Sequence, residues 1–153
     1  MYFYNLIKNL SEKKDILLFV DMDGVIAAYN NGGNPYDFLH KRPLKQNIST
    51  IKEVSTLENV DLHILSVCRE NFQISDKNVW LDENAPFFKK DGRVIISRES
   101  KEWKTAKEIK LEYLKSVKTD KQIVLIDDDN EVLRTIRNEL EHVIALQDSE
   151  LID

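Results

Sequence analysis

The chain alternates short apolar runs with segments of helical periodicity. Five runs have the length and β-branched content of buried strands, at residues 16–20, 62–67, 93–97, 122–126 and 142–146. Between them, apolar residues recur at helical spacing over residues 44–57, 71–81, 101–117 and 131–140. Because strands and helices alternate and the strands are almost continuously apolar, we expect a parallel sheet covered by helices on both faces. The predicted fold is a three-layer α/β/α sandwich with a mainly parallel, Rossmann-like sheet.

The N-terminal segment favours one further helix, which is amphipathic. Phe3, Leu6, Ile7 and Leu10 fall at helical spacing, and the segment lacks the long apolar stretch of a signal peptide or a membrane span. The 153 residues are 42% hydrophobic, which suffices for one core, so a single domain over residues 1–153 is predicted.

Charge and cysteine content narrow the expected partners and location. Lys and Arg number 22 against 27 Asp and Glu, and this net charge of -5 disfavours nucleic acid as a partner. No segment predicts binding to a membrane. The single Cys68 has no partner for an internal disulfide, so a cytoplasmic protein with a buried thiol is expected. The composition leaves monomer and homodimer open.

Acidic and hydroxyl side chains occupy the ends of three predicted strands. These residues are Asp21, Asp23, Ser66, Asp127, Asp128 and Asp129. Ligands of open α/β sheets bind beyond the carboxyl ends of the strands, where all of these side chains would gather. Each feature taken alone also fits a turn or a helix cap.

Several carboxylates at one sheet edge repel one another unless a cation lies among them. A ligand set made only of oxygen atoms favours Mg²⁺, which binds a few carboxylates together with waters and phosphate oxygens. A calcium-binding EF-hand loop is disfavoured, because it requires glycine at its sixth position and glutamate at its twelfth. Counted from Asp21, this loop has Gly24 at the fourth position and Gly32 at the twelfth.

The order of these motifs resembles that of the haloacid dehalogenase superfamily of phosphohydrolases. The resemblance rests on DMDGV (21–25) after a buried strand, Ser66 on the second strand, Lys101 and Lys104 at a helix start, and LIDDDN (125–130) after a later strand. It spans residues 16–130, most of the chain. The short chain and the stretch WLDENAPFF (80–88) resemble the small, capless 5'-nucleotidase-like branch.

The resemblance implies a role for each residue of the first motif. Asp21 would attack phosphorus and form an aspartyl-phosphate. Asp23 would protonate the leaving alkoxide and later deprotonate the attacking water. Gly24 would let the backbone turn tightly beside the bound phosphate.

The remaining implied roles concern charge at the phosphate. Mg²⁺ would be held by Asp21, the backbone carbonyl of Asp23, Asp127 and Asp128, with Asp128 favoured over Asp127 as the direct ligand. Ser66 would donate a hydrogen bond to a phosphoryl oxygen.

The implied lysine at the phosphate has three candidates, Lys101, Lys104 and Lys107. If the helix begins just after the loop RESKEW (98–103), Lys104 lies in its first turn, at the sheet edge. Lys104 is therefore the predicted phosphate-binding lysine and Lys101 the second choice. Lysines at helical spacing are also common on solvated surfaces.

Residues 25–43 are rich in asparagine and glycine and are predicted to form a flap rather than a cap domain. Six flap side chains either contact substrate or pack against the domain, and the sequence leaves both open: Tyr29, Tyr36, Phe38, His40, Lys41 and Arg42.

The expected function is Mg²⁺-dependent hydrolysis of a small phosphomonoester, with a nucleotide as one candidate. Two alternatives stay open: a phosphatase of a macromolecular substrate, and a non-catalytic domain that only binds phosphate. Asp23 favours turnover, because a binding domain has no need of a paired acid/base.

Overall fold

A computed structural model describes residues 2–29, 34 and 36–152 of the protein. The five described α-helices are α1 (Tyr2–Lys13), α2 (Lys45–Val54), α3 (Phe72–Asn84), α4 (Ala106–Ser116) and α5 (Asn130–Glu139). The five described strands are β1 (Ile16–Val20), β2 (Val60–Cys68), β3 (Arg93–Ser97), β4 (Gln122–Asp127) and β5 (Val143–Gln147). In the described part of the chain, no helix is long and apolar enough to cross a membrane.

All five strands form one parallel sheet in the order β3-β2-β1-β4-β5. The prediction of a parallel α/β sheet is confirmed. β1 is central, and its last residue, Val20, pairs with Ile64 of β2 and Ile126 of β4. Strands β2 and β3 lie on one side of β1, while β4 and β5 lie on the other. The strand order therefore reverses between β1 and β4, and such switch points form the ligand crevices of open α/β sheets.

Helices cover both faces of the sheet. On β1, Leu18 packs in an apolar cluster with Phe3 of α1 and Trp80 of α3, whereas Phe19 packs in a second cluster with Ile136 of α5. Successive side chains of a strand point to opposite faces, so these two clusters lie on opposite sides of the sheet. This layering is compatible with the predicted Rossmann-like sandwich.

Helix α4 begins later than the predicted start at residue 101. Residues 99–101 form a separate 3₁₀ turn, and Glu102 and Trp103 have positive φ angles of 55° and 61°. The helix then begins at Ala106, where the hydroxyl of Thr105 caps it by accepting a hydrogen bond from the Glu108 amide. Left-handed residues cannot continue an α-helix, so Lys101 and Lys104 lie before it rather than inside it.

The described part of the predicted flap is anchored at its base. Residues 25–28 are buried, the Ala28 amide donates to the Arg42 carbonyl at 2.8 Å, and the Leu44 amide donates to the Ile26 carbonyl at 2.8 Å. Phe38–His40 forms a 3₁₀ turn. Flap residues 30–33 and 35 lie outside the described residues.

Trp80 holds the end of the flap against the core. Its ring is fully buried, its Nε1 donates to the Lys41 carbonyl at 2.8 Å, and it meets the Phe38 ring edge-to-face at a centroid distance of 5.8 Å. A buried carbonyl without a donor is costly, so this bond fixes the backbone that carries Lys41.

We expect Trp80→Phe to lower the free energy of unfolding by about 1–3 kcal/mol, because the Lys41 carbonyl loses its donor and the smaller ring leaves a cavity. The matched control is Trp103→Phe, since Trp103 is 48% exposed, and its effect should stay within ~0.5 kcal/mol. Urea unfolding followed by circular dichroism measures both. Equal losses in the two variants would contradict this anchoring role.

Candidate active site

Three carboxylates meet at the switch point of the sheet. Asp21 directly follows β1, Asp127 ends β4, and Asp128 follows it. The two strand ends are adjacent because β1 and β4 pair in register, with the Asp21 amide donating to the Ile126 carbonyl at 3.0 Å. One oxygen from each of the three carboxylates lies within 4.8 Å of the other two. The structure thus brings together the three side chains predicted to bind the metal.

One buried ammonium lies among these carboxylates. Lys110 of α4 is 3% exposed, and its Nζ lies 2.5 Å from Asp127 Oδ2 and 3.1 Å from Asp21 Oδ1. Burial opposes the charged form of Lys110, but Asp21 and Asp127 outweigh it and raise the pKa of the ammonium. Lys110 therefore stays protonated and ties α4 to the ends of both strands.

The carboxylates outnumber the ammonium, and their pKa values reflect this. Burial raises the pKa of Asp21 well above its usual range, since Lys110 offsets only part of the effect and Asp127 and Asp23 add repulsion. Burial, with repulsion from Asp127, also raises the pKa of Asp128 to about 6. A divalent cation at this cluster would relieve the repulsion, and the all-oxygen donor set is the one that Mg²⁺ prefers.

The two acids at the end of β4 differ in their availability to a metal. Asp127 is fully buried, its Oδ2 accepts from Lys110, and its Oδ1 accepts from the Asp129 amide at 3.0 Å. Asp128 is half-buried and so remains partly accessible. Asp128 is thus the better placed of the two as a direct ligand, and Asp129 instead caps α5 by accepting from the Glu131 amide.

Gly24 permits the close approach of Asp128 to the first loop. Its φ is +80°, and a Cβ there would lie 2.0 Å from Asp128 Oδ2. Only glycine combines this backbone conformation with the space that the carboxylate occupies. Glycine at position 24 is therefore required both by the turn and by the close approach of Asp128 in the site.

Asp23 lies in a different electrostatic environment from Asp21. Its carboxylate accepts from Lys41 Nζ at 2.5 Å and from Lys77 Nζ at 3.1 Å. Burial opposes ionisation of Asp23, but Lys77 and Lys41 outweigh it and lower the pKa of the carboxyl. Asp21 and Asp23 are separated by one residue but lie in opposite electrostatic environments. Asp21 lies among carboxylates that outnumber the ammonium beside it, whereas Asp23 lies between two ammonium groups.

Lys77 also connects Asp23 to Ser66. Ser66 lies within β2 rather than at its end, because the strand continues to Cys68, and it is fully buried. Its Oγ accepts a hydrogen bond from Lys77 Nζ at 2.6 Å. A ligand that contacts Ser66 would therefore lie next to the Lys77 ammonium.

The structure does not bring Lys101 or Lys104 to the acids. Both are exposed, and Lys104 Nζ pairs with Glu112 Oε2 at 3.1 Å on the surface of α4. Lys107 points to Glu131 at 3.8 Å. The ammonium at the acids is instead that of Lys110, which lies in the second turn of α4, whereas the prediction placed the lysine in the first turn.

Sequence reasoning missed two lysines of the site, although both carry a local signal. Lys110 lies one helical turn before the buried Leu114 and thus on the same face of α4. On α3, Lys77 occupies the inward stripe formed with Gln73, Trp80 and Leu81, at helical spacing.

A third lysine of the site, Lys41, has no such signal, because the tertiary contact through Trp80 positions it. The sequence predicts Lys41 as one of six flap side chains that either contact substrate or pack against the domain. Of the others, Phe38 packs in the core, Tyr36 accepts a hydrogen bond from Arg69 at 2.5 Å, and His40 pairs with Asp37 at 2.8 Å. Tyr29 and Arg42 are exposed.

Cys68 follows the expected pattern of a buried thiol. It is 6% exposed, and burial raises the pKa of its thiol. A raised pKa disfavours the thiolate, so Cys68 is not activated as a nucleophile.

A scan against models of protein families finds no match, and a search of curated proteins finds no similar sequence. The functional argument therefore depends on the geometry and charges of the site.

In metal-free protein, Asp128→Asn should raise the melting temperature at pH 7–8. The unfolded chain ionises Asp128 near its ordinary pKa of about 4, whereas the folded protein ionises it at about 6. The wild-type free energy of unfolding therefore falls as pH rises from about 4 to 6, and asparagine removes this loss. Because Asp128 is only half-buried, we expect a gain of about 2–4 °C, corresponding to ~1 kcal/mol.

The control for this prediction is Asp129→Asn, since asparagine caps α5 as well as aspartate does. Melting curves from pH 4 to 8 with a chelator compare the two variants. A gain for Asp128→Asn that persists unchanged at pH 4, or an equal gain for Asp129→Asn, would refute repulsion within the cluster as the cause.

Proposed function

We propose that this protein is a Mg²⁺-dependent phosphatase that hydrolyses a small phosphomonoester through a phosphoryl group on Asp21. The observation that carries the proposal is the contrast between Asp21 and Asp23. Titratable groups held in opposite environments are typical of active sites. A divalent cation bound beside Asp21 would favour the carboxylate form that a nucleophile needs. The order of the sequence motifs adds support for membership of the haloacid dehalogenase superfamily, and a nucleotide remains a candidate substrate.

In the first step, an oxygen of Asp21 attacks phosphorus while the bond from phosphorus to the leaving oxygen breaks. Lys110 acts as a positioning residue, because its ammonium contacts Asp21 Oδ1 and Asp127 Oδ2 and so orients the nucleophile. The ammonium also reduces repulsion between the Asp21 carboxylate and the incoming phosphate.

The proton for the leaving oxygen is supplied through Asp23. This carboxylate is hydrogen bonded to two ammonium groups, those of Lys41 and Lys77, which provide protons beside it. In the second step, the Asp23 carboxylate takes a proton from water while the water oxygen attacks phosphorus and the bond from phosphorus to Asp21 breaks. That proton returns to the lysine that gave one up in the first step. Inorganic phosphate leaves, and Asp21 is regenerated as a carboxylate.

The residues suited to holding Mg²⁺ are Asp21, Asp128 and the backbone carbonyl of Asp23, with Asp127 behind them. Three carboxylates around one ammonium fit a divalent cation in number and in chemistry. When bound, the ion supplies positive charge to the phosphoryl oxygens. Ser66 and Lys77 would bind the phosphoryl group together. The proposed location of the protein is the cytoplasm.

The direct test is release of inorganic phosphate from p-nitrophenyl phosphate and from a panel of phosphomonoesters. We expect activity with Mg²⁺, loss with a chelator, and a decrease of at least ~10³-fold in Asp21→Asn, because the covalent route is removed. The control is Asp120→Asn, an exposed acid on another part of the surface. Near wild-type turnover in Asp21→Asn with Mg²⁺ present would exclude an aspartyl-phosphate route.

A second prediction separates Lys110 from Lys104. Lys110→Met should lower kcat/KM by roughly 10² or more, a loss of ~2.7 kcal/mol of transition-state stabilisation, while Lys104→Met should be nearly neutral. Lys110→Arg should recover part of the activity, because it restores the charge. Circular dichroism verifies that each variant is folded before steady-state kinetics. A severe loss in Lys104→Met, with Lys110→Met unaffected, would contradict this role of Lys110 and support Lys104 as the phosphate-binding lysine.

A further inference from the structure

A cavity of about 200 Å³ adjoins Asp23 and has an unusual lining. Three of its lining residues are cationic and three are aromatic: Lys41, Lys77, Arg69, Tyr29, Tyr36 and Phe38. Asp23 is the one acid among the described residues that line it, and Asp21 is not one of these residues. In a chain of net charge -5, this cavity concentrates positive charge.

The cavity lies on the side of the site where a leaving group would sit. In an in-line displacement, the leaving oxygen is opposite the nucleophile, here Asp21. Asp23, which faces that oxygen in the proposed mechanism, forms part of the cavity wall. The part of the substrate that leaves would therefore occupy this cavity, an inference that rests on the proposed function.

Positive charge is in excess at the inner wall. Lys41 and Lys77 are 8% and 2% exposed, and Asp23 is the one carboxylate among the described residues within ion-pair distance of either. Two buried ammonium groups that share one carboxylate leave one charge unmatched, which is unfavourable unless an anion enters.

Arg69 adds a third cation at the exposed rim. Its guanidinium donates to the Tyr36 hydroxyl at 2.5 Å and lies 5.6 Å from the centre of the Tyr36 ring. This contact holds the guanidinium beside the cavity. The planar set of donors on arginine suits a carboxylate or a phosphate.

The aromatic side chains provide flat apolar surface next to these cations. Lys41 Nζ and Lys77 Nζ lie 4.9 Å and 4.8 Å from the centre of the buried Phe38 ring. Tyr29 and Tyr36 are 64% and 42% exposed at the opening. Exposed aromatic side chains beside a cavity are suited to stacking on a flat ligand.

We propose that this cavity binds the leaving part of the substrate, and that this part carries a second anionic group, a carboxylate or phosphate, beside a flat apolar portion. Arg69 and Lys41 contact the second anion, while Lys77 and Ser66 remain with the transferred phosphoryl group. The substrate class is thus a phosphomonoester with two separate anionic groups.

The test uses two esters of equal size, 4-carboxyphenyl phosphate and 4-carbamoylphenyl phosphate. We expect kcat/KM to be at least ~10-fold higher for the carboxylate, since charge-assisted hydrogen bonds are stronger than neutral ones. The amide withdraws electrons more strongly than the carboxylate, so leaving-group reactivity alone favours the opposite order. Equal values, or a preference for the amide, would overturn the proposal.

A variant then locates the second anion. Arg69→Gln should reduce the preference for the carboxylate several-fold, and the control Arg134→Gln, an exposed arginine that lines another cavity, should preserve it. If Arg69→Gln lowers both esters equally, the arginine serves the transferred phosphoryl group and the proposal is wrong.

Calorimetric binding of 4-hydroxybenzoate against 4-hydroxybenzamide separates this inference from the proposed function. If no ester, including p-nitrophenyl phosphate, is hydrolysed, the phosphatase is rejected. Tighter binding of the benzoate that Arg69→Gln removes still supports the anion site. Equal binding of the two compounds overturns it.

Discussion

The contact of Lys110 with Asp21 and Asp127 is the interaction on which the rest of the site depends. It joins the middle of α4 to the ends of the two strands that flank the switch point. All three side chains are nearly inaccessible to water, so each charge is tolerated only because the others are present. Removing one partner would leave an unmatched charge in the interior, which costs several kcal/mol in typical proteins. The geometry of the nucleophile and the packing of α4 are thus coupled.

Around that contact, the site divides into two halves of opposite character. Asp21, Asp127 and Asp128 exceed the single ammonium beside them, which suits a cation. Lys41 and Lys77 exceed the single carboxylate of Asp23, which suits an anion. The first loop places Asp21 in one half and Asp23 in the other, although only Met22 separates them. A phosphate ester held by a metal on one side and by ammonium groups on the other would bridge both halves.

The sequence predicted those parts of the site that depend on strand ends. Apolar runs located β1 and β4 closely, and the pairing of parallel strands then placed Asp21 beside Asp127. The lysine could not be predicted in the same way, because it depends both on where α4 begins and on which of its turns reaches the strand ends, which is the second turn with Lys110. That start is set by the left-handed conformations of Glu102 and Trp103 and by the Thr105 cap, none of which alters apolar periodicity.

The residues around Asp23 were harder still to predict. Lys77 lies on the inward stripe of α3, but lysine is usually a surface residue. Its burial is therefore not predicted from sequence unless its partner, Asp23, is known. Lys41 reaches Asp23 because Trp80, 39 positions further along the chain, fixes its backbone. The close approach of Asp128 to Gly24 could likewise not be predicted, because Asp128 follows a strand that is distant in sequence. Such contacts between remote segments leave no periodic signal.

The account depends most on Asp21 as the residue that accepts the phosphoryl group. The most direct measurement is peptide mass spectrometry after rapid acid quench of the protein turning over with Mg²⁺ and a phosphomonoester. The account predicts a phosphoryl group on the peptide that contains Asp21, located at that side chain and absent when Mg²⁺ is chelated. Efficient turnover with no phosphorylated peptide, or with the phosphoryl group on another residue, would contradict it.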